Sequence, residues 1–399
     1  MQNFKLLITI ALGILITHAG LAQVDKGKYE KRKAGFYTNE IQPALHPKKE
    51  KQIFKSFIYD VSSKNLPSEK ESFEYFWHNT PESQGSTGTC WCYAATSFME
   101  SEIQRISGKQ VQLSEMYVTY WDYVERAKLF VEKRGDVYFN HGSEANAVPL
   151  RMQQYGTVPL NAYPGKVKNA KFHNHGVVMD EMKAYLAKVK ENNNWNSEEV
   201  ILTIKAIMNH YMGTPPQEFI VDGKKYTPKT YMSEYLKFDA NNYQSVMSTM
   251  SAPYYEESEL VEADNWYHGD NYYNVPIDDF MDIIDNAVKK GYTICICGDV
   301  SEPGHNSFKE VSMIPDFDIP SKYINQSARE LRLKNKSTTD DHCIHLIGHK
   351  KIKGEQWYLI KDSGAGGFNG PNKGYRFFHE NYIKLKMMNI MLHKDVVKK

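Results

Sequence analysis

One short segment combines a thiol with groups that support nucleophilic catalysis. Residues 84–91 read QGSTGTCW, which places Cys90 directly after a polar, glycine-containing turn. Apolar side chains recur at helical spacing beyond it, which predicts a helix over about 90–105. A thiol in the first turn of a helix feels the positive end of the helix dipole, which favours the nucleophilic thiolate. Gln84, on the same turn, can join the Cys90 backbone N–H in donating to an oxyanion. The segment therefore predicts acyl transfer.

A base for this thiol is found much later in the chain. His342 opens an apolar, strand-like run, and the next such run ends at Asp362. A hairpin between the two runs would bring Asp362 beside His342, where a carboxylate fixes the tautomer and stabilises the imidazolium. The sequence thus predicts Cys90 as nucleophile, His342 as general base and Asp362 as the residue that orients the base.

The elements that must position these residues change in character along the chain. Helical patterns dominate the first half and strand-like runs the last third. Helices are predicted at about 90–105, 117–129, 145–155, 175–212 and 277–290, and strands at 293–297, 342–347, 357–360 and 375–378. This order predicts an α+β protein with a helical lobe, a β-rich lobe and a cleft between them.

Motifs around the three candidate catalytic residues resemble those of the papain family of cysteine peptidases. The string at 84–91 and the spacing from Gln84 to Cys90 are similar to that family's nucleophile site. The Asp341–His342 pair resembles its histidine site, and LIKDS at 359–363 its third catalytic segment. The resemblance implies a papain-like two-lobed fold, hydrolysis of peptide substrates, and substrate contacts at Gly142, Ser143 and Asp341.

Further motifs resemble the bleomycin hydrolase and aminopeptidase C branch of that family. They are LSE at 113–115, WDYVE at 121–125, YGTVP at 155–159, AYP at 162–164, GTPP at 213–216, EF at 218–219, NVPID at 274–278 and GDV at 298–300. The resemblance covers about residues 70–390 and implies a helical insertion at about 166–270. Relatives in that branch assemble as rings of six, so the resemblance leaves homo-oligomerisation of this chain as an alternative to a monomer.

The chain departs from the family pattern at four places. Asp362 stands where the family has Asn, Gly364 where it has a Trp that shields the histidine–amide hydrogen bond, and Ser143 where the branch has a second Gly. An anionic partner is expected to raise the pKa of His342 and to preserve activity. The branch also carries a C-terminal arm that anchors the substrate's free amino terminus, and this chain is expected to lack most of it.

Composition limits the partners. The 399 residues include 49 Lys and Arg against 48 Asp and Glu, a net charge of +1. This balance provides no single-sign field to attract nucleic acid or an anionic membrane, so neither is predicted as a partner. The length suits two ordinary domains or one large two-lobed unit.

The N-terminus resembles an export signal. Lys5 precedes an apolar run at 6–17, and small residues follow before Gln23. This pattern predicts a signal peptide over residues 1–22 and a periplasmic or secreted protein that is free of the membrane after cleavage. The alternative, a retained anchor helix, is disfavoured because the run is shorter than a bilayer span.

The rest of the chain is predicted to form two parts. Residues 23–70 form an N-terminal arm, of which the Lys-rich stretch at 23–55 is expected to be flexible or loosely packed. Residues 71–399 form the peptidase domain with its insertion.

The five cysteines are too few for a disulfide framework. Cys295 and Cys297 would share one face of a strand and are not expected to bridge each other. Cys92 and Cys343 are predicted to pack in the core. Cys90 has the alternative of a buried structural thiol, but its polar neighbours and Gln84 favour catalysis.

The histidines near the C-terminus are candidates for a metal site. On a strand, His342 and His345 face opposite sides, and no HExxH pattern accompanies them or His349. No metal and no organic cofactor is therefore predicted. The predicted function is an aminopeptidase-like thiol protease. The alternatives are endopeptidase or dipeptide-releasing activity on the same scaffold, and a catalytically weak papain-fold binding module.

Overall fold

The computed structural model describes residues 24–46, 55–166 and 170–397; the predicted signal peptide lies outside these ranges. The longer helices are α1 (Cys90–Ser107), α2 (Glu115–Glu132), α3 (Ala147–Tyr155), α4 (Gly176–Glu191), α5 (Ser197–Met212), α6 (Ile277–Lys289), α7 (Gln326–Lys334) and α8 (Glu380–Lys386). Short helical turns lie at Tyr37–Ile41, Gln42–Leu45, Lys70–Ser72, Pro228–Thr230, Tyr231–Tyr235, Ala240–Asn242, Ser321–Tyr323, Ala365–Phe368 and Lys394–Val396.

The strands concentrate towards the C-terminus. They are β1 (Gly27–Lys31), β2 (Lys55–Tyr59), β3 (Glu74–Tyr75), β4 (Phe219–Val221), β5 (Lys224–Tyr226), β6 (Tyr243–Met247), β7 (Glu257–Ser258), β8 (Tyr272–Asn274), β9 (Ile294–Gly298), β10 (His305–Asn306), β11 (Val311–Ser312), β12 (His342–Ile352), β13 (Glu355–Lys361), β14 (Tyr375–His379) and β15 (Met387–His393). The main sheet has the order β10-β11-β14-β13-β12-β9-β15-β6-β8-β7, and β3 pairs with β12.

Helix α1 packs against the sheet and is buried along most of its length. Its apolar residues, among them Trp91, Ala95 and Phe98, form one core with Cys295 on β9 and Met391 on β15. Gly108 ends the helix in a left-handed conformation with φ of 72°, which glycine adopts without steric cost. Burying each large apolar side chain contributes roughly 1.5–3 kcal/mol, so the first residue of α1 rests on a firmly packed element.

The predicted hairpin between the histidine strand and the strand before Asp362 is confirmed. Strands β12 and β13 pair antiparallel, with His345 opposite Lys361. On its other edge β12 pairs with β9, which places His342 opposite Gly298. His342 therefore lies at the start of a central strand, and Asp362 directly follows the neighbouring one.

The prediction that Cys343 merely packs in the core is wrong. Cys343 lies opposite Cys297 on the paired strands β12 and β9, and the two form a disulfide. The physical reason is register, because directly opposed residues of antiparallel strands approach closely enough for a bridge. Cys295 and Cys297 do not bridge each other. The disulfide joins the two strands next to His342.

The helical region at 175–212 consists of two helices rather than one. Helices α4 and α5 are separated at Asn196, whose side chain accepts a hydrogen bond from the Glu199 N–H and so caps α5. Together with α2 they bury a second apolar core, which includes Tyr123, Val178 and Ile204.

The N-terminal arm is more ordered than the sequence predicts. β1 and β2 pair antiparallel over their full lengths, and Asp25 forms a 2.7 Å ion pair with Lys64. Phe36 stacks on Phe368 with ring centroids 5.0 Å apart. Over the described ranges, none of the helices has the length and apolarity needed to cross a bilayer.

Candidate active site

The nucleophile candidate lies at the first residue of α1. Cys90 is partly exposed, and no described side chain caps the helix start. The first N–H groups of a helix have no partner within it, so the backbone N–H at this end is open to an incoming carbonyl oxygen. The preceding turn is fixed from outside, because the Ser86 N–H donates to the carbonyl of His173 at 2.9 Å. The start of α1 is fixed as well, because the Trp91 indole N–H donates to the carbonyl of His141 at 3.2 Å.

His342 and Asp362 form the closest charged contact of the site. The Nε2 of His342 lies 2.7 Å from Oδ1 of Asp362, and the two side chains are only 12% and 4% exposed. Burial lowers the pKa of His342, but the Asp362 carboxylate and the hydrogen-bonded Cys90 side chain raise it well above its usual value. With Nε2 on the carboxylate, Nδ1 is left for the thiol. The structure therefore brings Cys90, His342 and Asp362 together.

Asp362 is held as an anion by His342 and by two further groups, one of which, Arg376, sequence reasoning missed. Burial raises its pKa, but His342, the Arg376 guanidinium and the Gly364 N–H together hold that pKa below the ordinary value. The Gly364 N–H donates to Oδ1 at 2.8 Å. Arg376 is fully buried, and among the described residues its guanidinium finds no hydrogen-bond acceptor. In the sequence, the feature that could have pointed to Arg376 is the presence of an arginine within the otherwise apolar run that forms β14.

The glycine at 364 explains how the pair stays shielded without a tryptophan. A methyl group placed on Gly364 would lie 3.0 Å from Cε1 of His342 and 3.1 Å from Oδ1 of Asp362. Both distances are tighter than ordinary van der Waals contact. The backbone of the loop therefore packs directly on the imidazole–carboxylate pair and covers it.

Gln84 links the turn before α1 to the segment that follows β13. Its Nε2 donates to the carbonyl of Thr87 at 2.8 Å, and its Oε1 accepts from the Ser363 hydroxyl at 2.8 Å. The Gln84 N–H also donates to the Ser363 carbonyl at 3.0 Å. Because Ser363 fixes the amide oxygen, the second N–H of the amide is oriented and still available, as an oxyanion donor requires.

The cleft at Cys90 has a volume of about 580 Å³ and contains most of the predicted substrate-binding residues. Gly142 and Asp341 line it. Ser143 does not: its side chain is 4% exposed, and its hydroxyl accepts a hydrogen bond from the Trp266 indole at 3.1 Å. Any contact of Ser143 with substrate is therefore left to its backbone.

A buried arginine supports this wall of the cleft. Arg126 on α2 donates to the carbonyl of Asn140 at 2.6 Å and to that of Gly142. Its guanidinium also lies 4.8 Å from the centre of the Trp266 ring. Asp122, one helical turn earlier, balances the charge. Sequence reasoning missed this residue, although an Asp four positions before an Arg on one helix predicts such a pair.

The chain matches the model of the Peptidase C1-like family over residues 38–136 and 146–399. Among curated proteins it is similar to aminopeptidase C of Listeria monocytogenes, with 22% identity over 366 residues that cover 79% of this chain and 80% of the relative. It is equally similar to aminopeptidase C of Lactococcus lactis subsp. cremoris, with 22% identity over 351 residues that cover 79% and 80%.

Among solved structures, the chain is similar to PepW from Lactobacillus rhamnosis. The TM-score is 0.62 at 18% identity, and the match covers 82% of both chains. This likeness shows the fold, which is papain-like and α+β as the sequence resemblance implied. The family match spans most of the chain and includes Cys90, His342 and Asp362. The chain therefore belongs to the peptidase C1-like family, as a cysteine-type peptidase of the bleomycin hydrolase and aminopeptidase C branch.

Proposed function

We propose that this protein is an exported aminopeptidase that uses Cys90, His342 and Asp362. The observation that carries the mechanism is the buried 2.7 Å contact between His342 and Asp362, with Cys90 hydrogen-bonded to the same imidazole. A nucleophile, a base and a group that orients the base form the constellation needed for acyl transfer. Aminopeptidase activity is favoured because the similar curated proteins are named aminopeptidases.

The reaction uses the side chains of Cys90, His342 and Gln84 together with one backbone N–H. The Sγ of Cys90 attacks the scissile carbonyl carbon, while the Gln84 amide and the Cys90 backbone N–H hold the oxyanion. The C–N bond breaks, and the proton held by His342 passes to the leaving amine. Water then attacks the thioester and gives a proton to His342, and collapse of the intermediate releases the carboxylic acid and the Cys90 thiolate, which restores the starting thiolate–imidazolium pair.

Matched fluorogenic peptides test the specificity. Residues 23–399 are assayed on one substrate with a free amino terminus and on the same substrate with an acetylated one, with Cys90→Ala as control. We expect cleavage of the free form only, and no cleavage by the variant. Cleavage of both forms by the wild type would make the protein an endopeptidase. Equal signals from wild type and variant would favour the binding-module alternative.

Export is supported by two independent features. The basic, apolar and small-residue order at the N-terminus predicts cleavage before Gln23, and the Cys297–Cys343 disulfide is of a kind that persists in oxidising compartments outside the cytosol. We expect N-terminal sequencing of protein recovered from a periplasmic or culture fraction to begin at Gln23. Full-length protein confined to the cytosol would contradict export.

A further inference from the structure

A segment near the N-terminus contacts both sides of the catalytic cleft. This segment, residues 35–45, contains two short helical turns and is named the N-terminal strap. The Phe36 ring stacks on Phe368, in the loop after β13, with ring centroids 5.0 Å apart. The same ring meets Phe172, in the segment before α4, edge-on at 5.8 Å. Phe36 therefore joins the β-rich side of the molecule to the helical side.

The strap is held mainly by apolar contacts and by its backbone. The Phe36 N–H donates to the side-chain oxygen of Asn369 at 2.7 Å, and Ile41 is fully buried. The ion pair between Lys171 and Glu40, at 2.7 Å, has side chains that are 63% and 47% exposed, so it contributes little. Aromatic pairs and apolar burial stabilise a docked segment more, and the strap is therefore a built part of the cleft.

The residue after this anchor lines the catalytic cleft. Tyr37 lies in the wall of the same cleft as Cys90, together with Gly85 and Ser86, and it is 37% exposed. Residues 85–88 are Gly, Ser, Thr and Gly, so this part of the wall carries no charge. An anchored, accessible aromatic ring beside an uncharged wall is a surface that binds apolar and aromatic side chains.

The strap lies on the leaving-group side of the cleft. His342 passes its proton to the leaving amine, so this amine must lie next to the imidazole. The loop packs on that imidazole at Gly364, where a methyl group would lie 3.0 Å from Cε1 of His342, and it continues to Phe368, which contacts the strap. Substrate upstream of the scissile bond is expected instead at Gly142. The chain beyond the scissile bond therefore runs towards Tyr37.

We propose that Tyr37, held in place by Phe36, forms a subsite for an apolar or aromatic residue on the leaving-group side of the scissile bond. The strap then selects peptides by the residues that follow the bond to be cut. This inference rests on the proposed Cys90 mechanism, which supplies the acyl-enzyme and the leaving amine, and it deepens that function. It holds for an aminopeptidase and for an endopeptidase alike.

Aminolysis of the acyl-enzyme tests this subsite. An added amine that replaces water as the attacking group occupies the leaving-group side, because the step is the reverse of acylation. A fluorogenic leucine substrate, in whichever of its free and acetylated forms the wild type cleaves, supplies the acyl group. The amines are phenylalaninamide and glycyl-phenylalaninamide, compared with glycinamide and glycyl-glycinamide respectively. Mass spectrometry measures the ratio of aminolysis to hydrolysis products, which does not depend on the rate of acylation.

Three variants separate the ring from its support. Tyr37→Ala removes the ring, Tyr37→Phe keeps it, and Phe36→Ala removes the anchor. Tyr29→Ala is the matched control, because Tyr29 is 72% exposed on β1 and is not among the described residues that line the cleft. Circular dichroism and thermal unfolding verify that each variant folds.

We expect the wild type to prefer the aromatic amine over its glycine counterpart in at least one of the two pairs. Tyr37→Ala should reduce that preference about 3–10-fold, the effect of one aromatic contact. Phe36→Ala should act in the same direction, while Tyr37→Phe and Tyr29→Ala should retain the preference. The subsite is refuted if the wild type shows no preference or if Tyr37→Ala retains it in full. A rise of aromatic capture in Tyr37→Ala would also overturn it, because the ring would then obstruct the leaving group.

Failure of the proposed function is a separate result, since it would appear in the wild type as no cleavage that depends on Cys90. The subsite is then measured without turnover, as protection of Cys90 from alkylation by iodoacetamide, located by peptide mapping. Glycyl-phenylalaninamide should slow this alkylation more than glycyl-glycinamide does, and it should lose that advantage in Tyr37→Ala. Equal protection of the wild type by the two amides would refute the subsite.

Discussion

Replacing Cys90 by Ala is expected to reduce kcat/KM by a factor on the order of 10⁵–10⁶, the loss seen when the nucleophile of a catalytic triad is removed. The sulfur is the atom that forms the acyl-enzyme, and no other described thiol is exposed to the cleft, since Cys92 and Cys295 are fully buried. Gln84→Ala should cost less, about 10²–10³-fold in kcat, because one oxyanion donor is lost while the thioester can still form.

Cys92→Ala is the matched control for this prediction. Cys92 lies two residues further along the same helix, and its sulfur donates to the Glu115 carbonyl at 3.1 Å, away from the cleft. We expect kcat/KM within a few-fold of the wild type, and a stability loss of roughly 1 kcal/mol. If Cys92→Ala abolished activity while Cys90→Ala retained it, the assignment of the nucleophile would be wrong.

Changing Asp362 is expected to alter the pH dependence of the reaction as well as its rate. Asp362→Asn keeps an oxygen that can accept from His342 but removes the charge that raises the pKa of that imidazole. The Cys90 side chain still raises the pKa of His342, but with less to oppose burial this pKa falls relative to the wild type. The alkaline limb of kcat/KM should therefore move to lower pH, and the ratio of wild-type to variant rate should grow as pH rises above about 6.5.

Asp362→Ala removes both the charge and the acceptor, so we expect a loss on the order of 10²–10⁴-fold at every pH. Coincident alkaline limbs in wild type and Asp362→Asn would contradict the role of the carboxylate.

The pH dependence of stability gives an independent readout. Because the pKa of His342 is raised in the folded protein, this residue stabilises the fold fully below about pH 6.5, and its contribution to the free energy of unfolding is lost as pH rises through the folded-state pKa. Because the pKa of Asp362 is lowered in the folded protein, this residue stabilises the fold fully above about pH 3.9, and its contribution is lost as pH falls through the folded-state pKa. The stability difference between wild type and Asp362→Asn should be largest between those limits.

The catalytic residues could be predicted from sequence because each lies at the end of a regular element. A polar, glycine-containing turn before a helical pattern places Cys90 at a helix start, and two adjacent strand patterns place His342 and Asp362 at one end of a hairpin. Both relations are local, so turn chemistry and periodicity were sufficient.

The groups that surround these residues depend on contacts between distant segments. Asp264 comes from an irregular loop, and only the tertiary fold brings it over Gly142. Arg376 is buried in β14, and its nearness to Asp362 depends on the pairing of β13 with β14. The Cys297–Cys343 disulfide depends on the pairing and register of β9 and β12. Strand pairing between separated segments cannot be derived from periodicity, which explains why these features were missed.

The most direct test of the Cys90–His342 assignment is the stoichiometry of labelling by an epoxide thiol inhibitor at neutral pH, measured by mass spectrometry with peptide mapping. For residues 23–399, the account predicts one inhibitor per chain, on Cys90, with labelling strongly slowed in His342→Ala and absent in Cys90→Ala. No labelling of the wild type, or labelling whose rate does not change in His342→Ala, would contradict an activated thiolate at Cys90.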